Sequence, residues 1–177
     1  MEIQASRLHA RTDASGQPVP LLDQDRRRWD RVLIRRGLDA LDRAETLGGG
    51  PYGLQAAIAA CHARAHSPEQ TDWPRIAALY EVLAFIQQSP VVMLNRAVAV
   101  GMADGAARGL ELVDALIDER ALQDYPQLPA VRGELLERLG RSDEAHAEFR
   151  RAADLTRNKG ERTLFLKRAN DLNQAPE

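Results

Sequence analysis

The chain has 177 residues, 44% of them hydrophobic and 28% charged, a balance that fits a folded domain and excludes both a disordered tail and a membrane protein. Its 24 lysines and arginines face 26 aspartates and glutamates, for a formal net charge of −2, so the basic excess with which nucleic-acid binders neutralise phosphates is missing. The single cysteine, Cys61, leaves no intrachain disulfide and points to a reducing, cytoplasmic setting.

Residues 1–22 read as an extended leader carrying Gly16, Pro18 and Pro20, without an apolar core of signal-peptide length. A leader helix is expected over 23–47, capped by Asp23 or Asp25, whose carboxylates can accept from the free N–H groups of a first turn. Trp29, Leu33, Leu41 and Ala44 share one face of it at helical spacing. Arg26, Arg27, Arg28, Arg31, Arg35 and Arg36 make the strongest basic cluster, but Asp23, Asp25, Asp30 and Asp39 are interleaved. That mixture reads as an ion-paired surface and not as a phosphate-binding patch. Gly48, Gly49 and Gly50 stop this helix and Pro51 starts the next. The run from Gly48 to Gly53 follows a helix instead of a strand and is not followed by a P-loop lysine, so it is a linker and not a phosphate cradle.

From Pro51 onward, helix-length segments are expected over about 51–66, 74–87, 91–102, 105–118, 128–139, 142–155 and 160–172. Short joints separate them, among them Ser67-Pro68, Ser89-Pro90, Asp104-Gly105 and Tyr125-Pro126. Strand-like alternation is missing. The tetratricopeptide repeat, a helix–turn–helix of about 34 residues with small residues where its helices meet, matches this spacing. The clearest copy spans 125–158, with Gly133 at the close contact, Leu136 inward, Gly140 in the turn, and Ala145, Phe149 and Ala152 on the inner face. Ala97, Val100, Asp104, Gly109, Val113 and Leu116 repeat it 36 residues earlier, and Ile76, Tyr80 and Leu83 lie a further 33 residues back. The fold expected is therefore all-α: a right-handed stack of antiparallel hairpins, a single domain over 23–177, with repeats at 51–87, 91–118 and 125–158 and a capping helix over 160–172.

Signals for chemistry are weak. Cys61, His62 and His66 carry a two-histidine, four-residue spacing, but the glutamate base of a zinc peptidase and a third ligand are missing; a half-buried helix whose histidines bond to neighbours explains them, and neither metal nor cofactor is expected. The apolar segment from Pro90 to Val100 predicts a helix buried on most sides, in which Asn95 and Arg96 bridge repeats as structural polar groups. No nucleophile–base or carboxylate pair is legible, so an enzyme is not expected.

One series of landmarks runs through nearly the whole chain: Leu21-Leu22-Asp23-Gln24-Asp25-Arg26 with Trp29-Asp30-Arg31, then Gly50-Pro51-Tyr52-Gly53-Leu54-Gln55, then Thr71-Asp72-Trp73 with Leu79-Tyr80. Ser89-Pro90 through Val100, Glu134 through Arg141, Leu155-Thr156, Asn158 and Glu161-Arg162 follow. The series resembles the C-terminal, tetratricopeptide-like extension of a group of bacterial extracytoplasmic-function sigma factors. The resemblance implies a regulatory or protein-interaction domain that modulates transcription initiation. Its partners would be RNA polymerase, the promoter-binding regions 2 and 4, or a regulatory protein or peptide. Those regions are not recognisable in this chain, so direct DNA binding is not expected of it. Asp23, Asp25, Arg26, Trp29 and Asp30 are the candidate junction to them, with Trp29 as anchor and Asp25 or Asp30 paired with an arginine. Tyr52, Gln55, Asp72, Trp73, Asn95 and Arg96 are the candidate groove or pocket residues. A second expectation makes the chain a small-molecule sensor with a pocket between leader helix and first repeat, to which Tyr52, Gln55, Asp72 and Trp73 contribute.

Overall fold

A computed structural model describes residues 2–46, 48 and 50–173 of the chain. Among them are nine α-helices and no strand beyond an isolated bridge between Thr12 and Pro18, so the fold is all-α. The chain divides into two compact units, Met1–Gln88 and Ser89–Glu177.

In the first unit, α1 (Glu2–Ala5) is followed by short 3₁₀ turns, α2 (Arg31–Glu45), α3 (Gly50–Arg64) and α4 (Trp73–Gln87). The leader is folded, not extended: Ile3 and Ala10 are buried in one core with Trp29, Ile34, Leu41, Ala57, Ala60 and Ala63. Burying Ile3 requires α1 to approach α2 closely, and Gly37 permits it, since a Cβ there would stand 2.4 Å from Ile3 Cγ1. The long helix starts later than its aspartates suggest. Asp25 caps only the 3₁₀ turn Arg26–Arg28, whereas Asp30 accepts from the backbone N–H groups of both Val32 and Leu33 and so sets the start at Arg31. Ile34, Gly37 and Leu41 form the buried face of α2; Trp29 precedes the helix and is held by the turn before it. Leu47 and Gly49, expected at the helix end and in its stop, lie outside the described residues. Gly48 and Gly50 both have positive φ, the left-handed backbone that favours glycine.

The second unit contains α5 (Pro90–Ala103), α6 (Ala106–Asp114), α7 (Gln127–Arg138), α8 (Ser142–Leu155) and α9 (Lys159–Leu172). Each packs on the next, α6 against α7 included. Of the inward positions expected from the repeat spacing, Ala97, Val113, Leu136, Ala145, Phe149 and Ala152 are fully buried, whereas Val100 and Leu116 are only half-buried. The closest helix approach joins Gly101 and Gly109, where a Cβ on Gly109 would stand 2.7 Å from the Gly101 Cα. Gly133 lies against Phe149 and the Ala145 carbonyl at 3.2 and 3.3 Å. The α6 helix is shorter than expected, because the chain turns at Ala115–Asp118 to bury Leu122 fully. The α5 helix is not enclosed on all sides, with Val91, Met93 and Asn95 exposed. Arg132 ties three helices together through Asp114 and Glu148, both at 2.8 Å. Arg168 pins α9 by bonding Glu137 and stacking 4.6 Å from the centroid of the Phe149 ring.

Candidate functional site

The densest polar construction in the first unit lies where the turns before α2 meet the end of α3. Four carbonyls at the C-terminus of a helix lack intrahelical partners, and Arg26 supplies a donor to two carbonyls at the end of α3. Its Nη1 donates to the carbonyls of His62 at 2.6 Å and Ala65 at 2.8 Å, and its Nη2 donates to Thr71 Oγ1 at 3.0 Å. Arg26 is only 6% exposed, and burial pulls its pKa below the ordinary arginine value, against the opposing charge of Glu69. A cation at the negative end of a helix dipole is well placed without a carboxylate of its own.

Trp29, 3% exposed, has two guanidinium groups over its ring, that of Arg26 at 5.1 Å and that of Arg7 at 5.7 Å from the centroid. Both are within cation–π range. Backbone bonding fixes the leader to this point, the Asp30 N–H donating to the Ser6 carbonyl at 2.9 Å while the Ser6 hydroxyl donates to the Ile3 carbonyl. His62 completes the cluster. Burial, then the charges of Arg7 and Arg26, push its pKa down to about 4, so the imidazole is neutral at pH 7. Its ring meets Trp73 edge-on at 5.2 Å. The expected hydrogen bond from His62 to a neighbour is not formed at Nδ1, which has no partner among the described residues; the same holds for Trp29 Nε1, Arg26 Nε and Gln24 Oε1.

The five junction candidates therefore separate by role. Arg26 and Trp29 form the buried centre. Asp30 is a helix cap. Asp25 pairs with Arg27 at 3.1 Å on the surface, and Asp23 is exposed. Arg7, His62 and Thr71 belong to the cluster without having been legible as site residues; each is brought in by tertiary contact.

The four groove candidates of the first unit are not brought together. Tyr52 and Gln55 lie near the start of α3, whereas Asp72 caps α4 and Trp73 opens it, beside the end of α3. About ten residues of helix between these ends put them roughly 15 Å apart. Asn95 is exposed and Arg96 half-buried on α5 in the second unit. Tyr52 and Gln55 instead line a cleft of about 500 Å³ walled by α1, α2 and α3. A second recess of about 420 Å³ lies between α3 and α4, bordered by Leu54, Leu79, Val82 and Ile86. Cys61 is buried, with burial pushing its thiol pKa up, and among the described residues no three His, Cys, Asp or Glu side chains are grouped to hold a metal. No helix among them is long and apolar enough to cross a membrane.

A family model described as a family of unknown function (DUF6596) matches residues 1–45, the segment that carries α1, Arg7, Arg26, Trp29 and Asp30. The chain is 49% identical over 160 residues to Uncharacterized protein R00370 of Rhizobium meliloti (strain 1021). That match takes in 90% of this chain but 37% of the relative, so the chain spans little more than a third of the relative's length. No solved structure matches.

Proposed function

We propose that the chain is the C-terminal regulatory and protein-interaction domain of an extracytoplasmic-function sigma factor, acting in the cytoplasm and modulating transcription initiation by promoter-binding regions outside this sequence. The observation that carries the reading is the ordered series of landmarks from Leu21 to Arg162. Two features support it. The relative is long enough to hold further domains beside the shared one, and tetratricopeptide-like helix hairpins present surfaces suited to peptides and helices.

In this reading the Arg26–Trp29 cluster transmits between the repeat helices and the preceding regions. It locks the leader onto the end of α3, so displacing one displaces the other. The partners are RNA polymerase, the promoter-binding regions, or a regulatory protein. The chain does not read DNA itself and catalyses no reaction. The test is binding of the purified chain to bacterial core RNA polymerase and, separately, to regions 2 and 4 of a sigma factor of this class. Saturable binding to either, weakened by Trp29→Ala, is expected; binding to neither contradicts the reading.

A further inference from the structure

We infer that the cleft between α1, α2 and α3 is a binding site for an uncharged, largely apolar small molecule. Its walls are Ile3 of α1, Gly37, Ala40, Leu41 and Ala44 of α2, and Gly53, Ala56 and Ala59 of α3. The volume of about 500 Å³ is that of a small-molecule pocket, and such pockets are apolar with a few polar groups at fixed points. Here the neutral polar groups of the lining are the exposed side chains of Gln4, Gln55 and Tyr52, the last 84% exposed.

Two observations select the occupant. Among the described residues the charged side chain of the lining is Glu2, and Arg36 pairs with it at 2.8 Å, so the site offers no net charge to an ionic ligand. Gly53 supplies the second. A glycine inside a helix weakens it and usually has a packing or functional reason. Gly37 has the packing reason, for it admits Ile3, but a Cβ built on Gly53 meets nothing within 4 Å. Among the described residues no side chain fills the space beside Gly53, which borders both this cleft and the α3–α4 recess and leaves room for a ligand to approach the α3 backbone. A ligand there touches α1, α2 and α3 together, and so bears on the segment that Arg26 and Trp29 lock in place.

This inference goes beyond the regulatory reading, and its test needs no polymerase, so its failure leaves that reading standing. The probe is N-phenyl-1-naphthylamine, uncharged and fluorescent in apolar surroundings, titrated into the purified chain. Saturable binding at one site is expected, weakened at least about tenfold by Ala40→Leu, an exposed position that lines this cleft and not the α3–α4 recess. Val82→Ser, in the other recess, should leave it within about twofold. No saturable binding overturns the proposal. So does loss of binding in Val82→Ser with retention in Ala40→Leu, or equal affinity for the anionic dye anilinonaphthalene sulfonate.

Discussion

Replacing Arg26 by Met keeps a long apolar stem against Trp29 but deletes three hydrogen bonds, to the carbonyls of His62 and Ala65 and the hydroxyl of Thr71. A hydrogen bond from a charged donor contributes about 1.5–3 kcal/mol net. The three share one group and do not add, and removing a buried guanidinium recovers part of its desolvation cost. A loss of about 2–3 kcal/mol results. With a urea slope of about 1.5 kcal/mol per molar, the unfolding midpoint of the first unit falls by roughly 1.3–2 M. Amide exchange should accelerate at the end of α3 and around Thr71 before it does so in α7 or α8. Arg26→Lys restores the charge but cannot span three acceptors, and should recover less than half of the loss. A midpoint shift below about 0.3 M in Arg26→Met, with unchanged exchange at residues 62–73, would refute the claim that this side chain caps α3.

Trp29→Ala removes a core indole and should cost about 3–5 kcal/mol, measured by denaturation and by faster proteolysis within residues 2–46. Gly133→Leu overpacks the Phe149 contact and should lower stability by about 1–3 kcal/mol; Gly109→Leu should cost at least as much, because its new Cβ meets backbone, and calorimetry of both variants checks the order. His62 makes stability depend on pH. Its folded pKa, about 4, lies below the unfolded value of 6.5, so the unfolded chain binds the extra proton. Stability is therefore full above pH 6.5 and falls as the pH drops toward 4, by up to about 3 kcal/mol. Urea midpoints at pH 7.5 and 4.5 should converge for His62→Gln relative to the native chain. Duplex DNA should bind the chain weakly and without sequence preference at physiological salt, as fluorescence anisotropy would show; tight, sequence-dependent binding would count against the net charge of −2 as the deciding term.

Helices 142–155 and 160–172 were legible almost to the residue because the Gly140 turn, with its positive φ, and 3.6-residue periodicity are local signals. The start of α2 was not, since three aspartates compete for the cap and only packing of Trp29 decides that Asp30 wins. The early end of α6 depends on the burial of Leu122, a tertiary effect with no local marker. At the site, Arg26 looked like one member of a basic run. Its burial is set by the end of α3, 36 and 39 residues later, a distance that no periodicity reports. The open face at Gly53 was likewise hidden, because glycine at a close contact and glycine beside empty space read identically in a sequence.

The central claim, that this chain is a regulatory extension of a sigma factor, is tested most directly by transcription in vitro with the full-length Rhizobium meliloti relative and core RNA polymerase. The account predicts promoter-specific transcripts. Their level should change when the segment matching this chain is deleted and return when this chain is grafted in its place, whereas the promoter preference stays the same. The Trp29→Ala graft should fail to restore the level. A full-length relative that neither binds core polymerase nor directs any promoter-specific transcript would contradict the account.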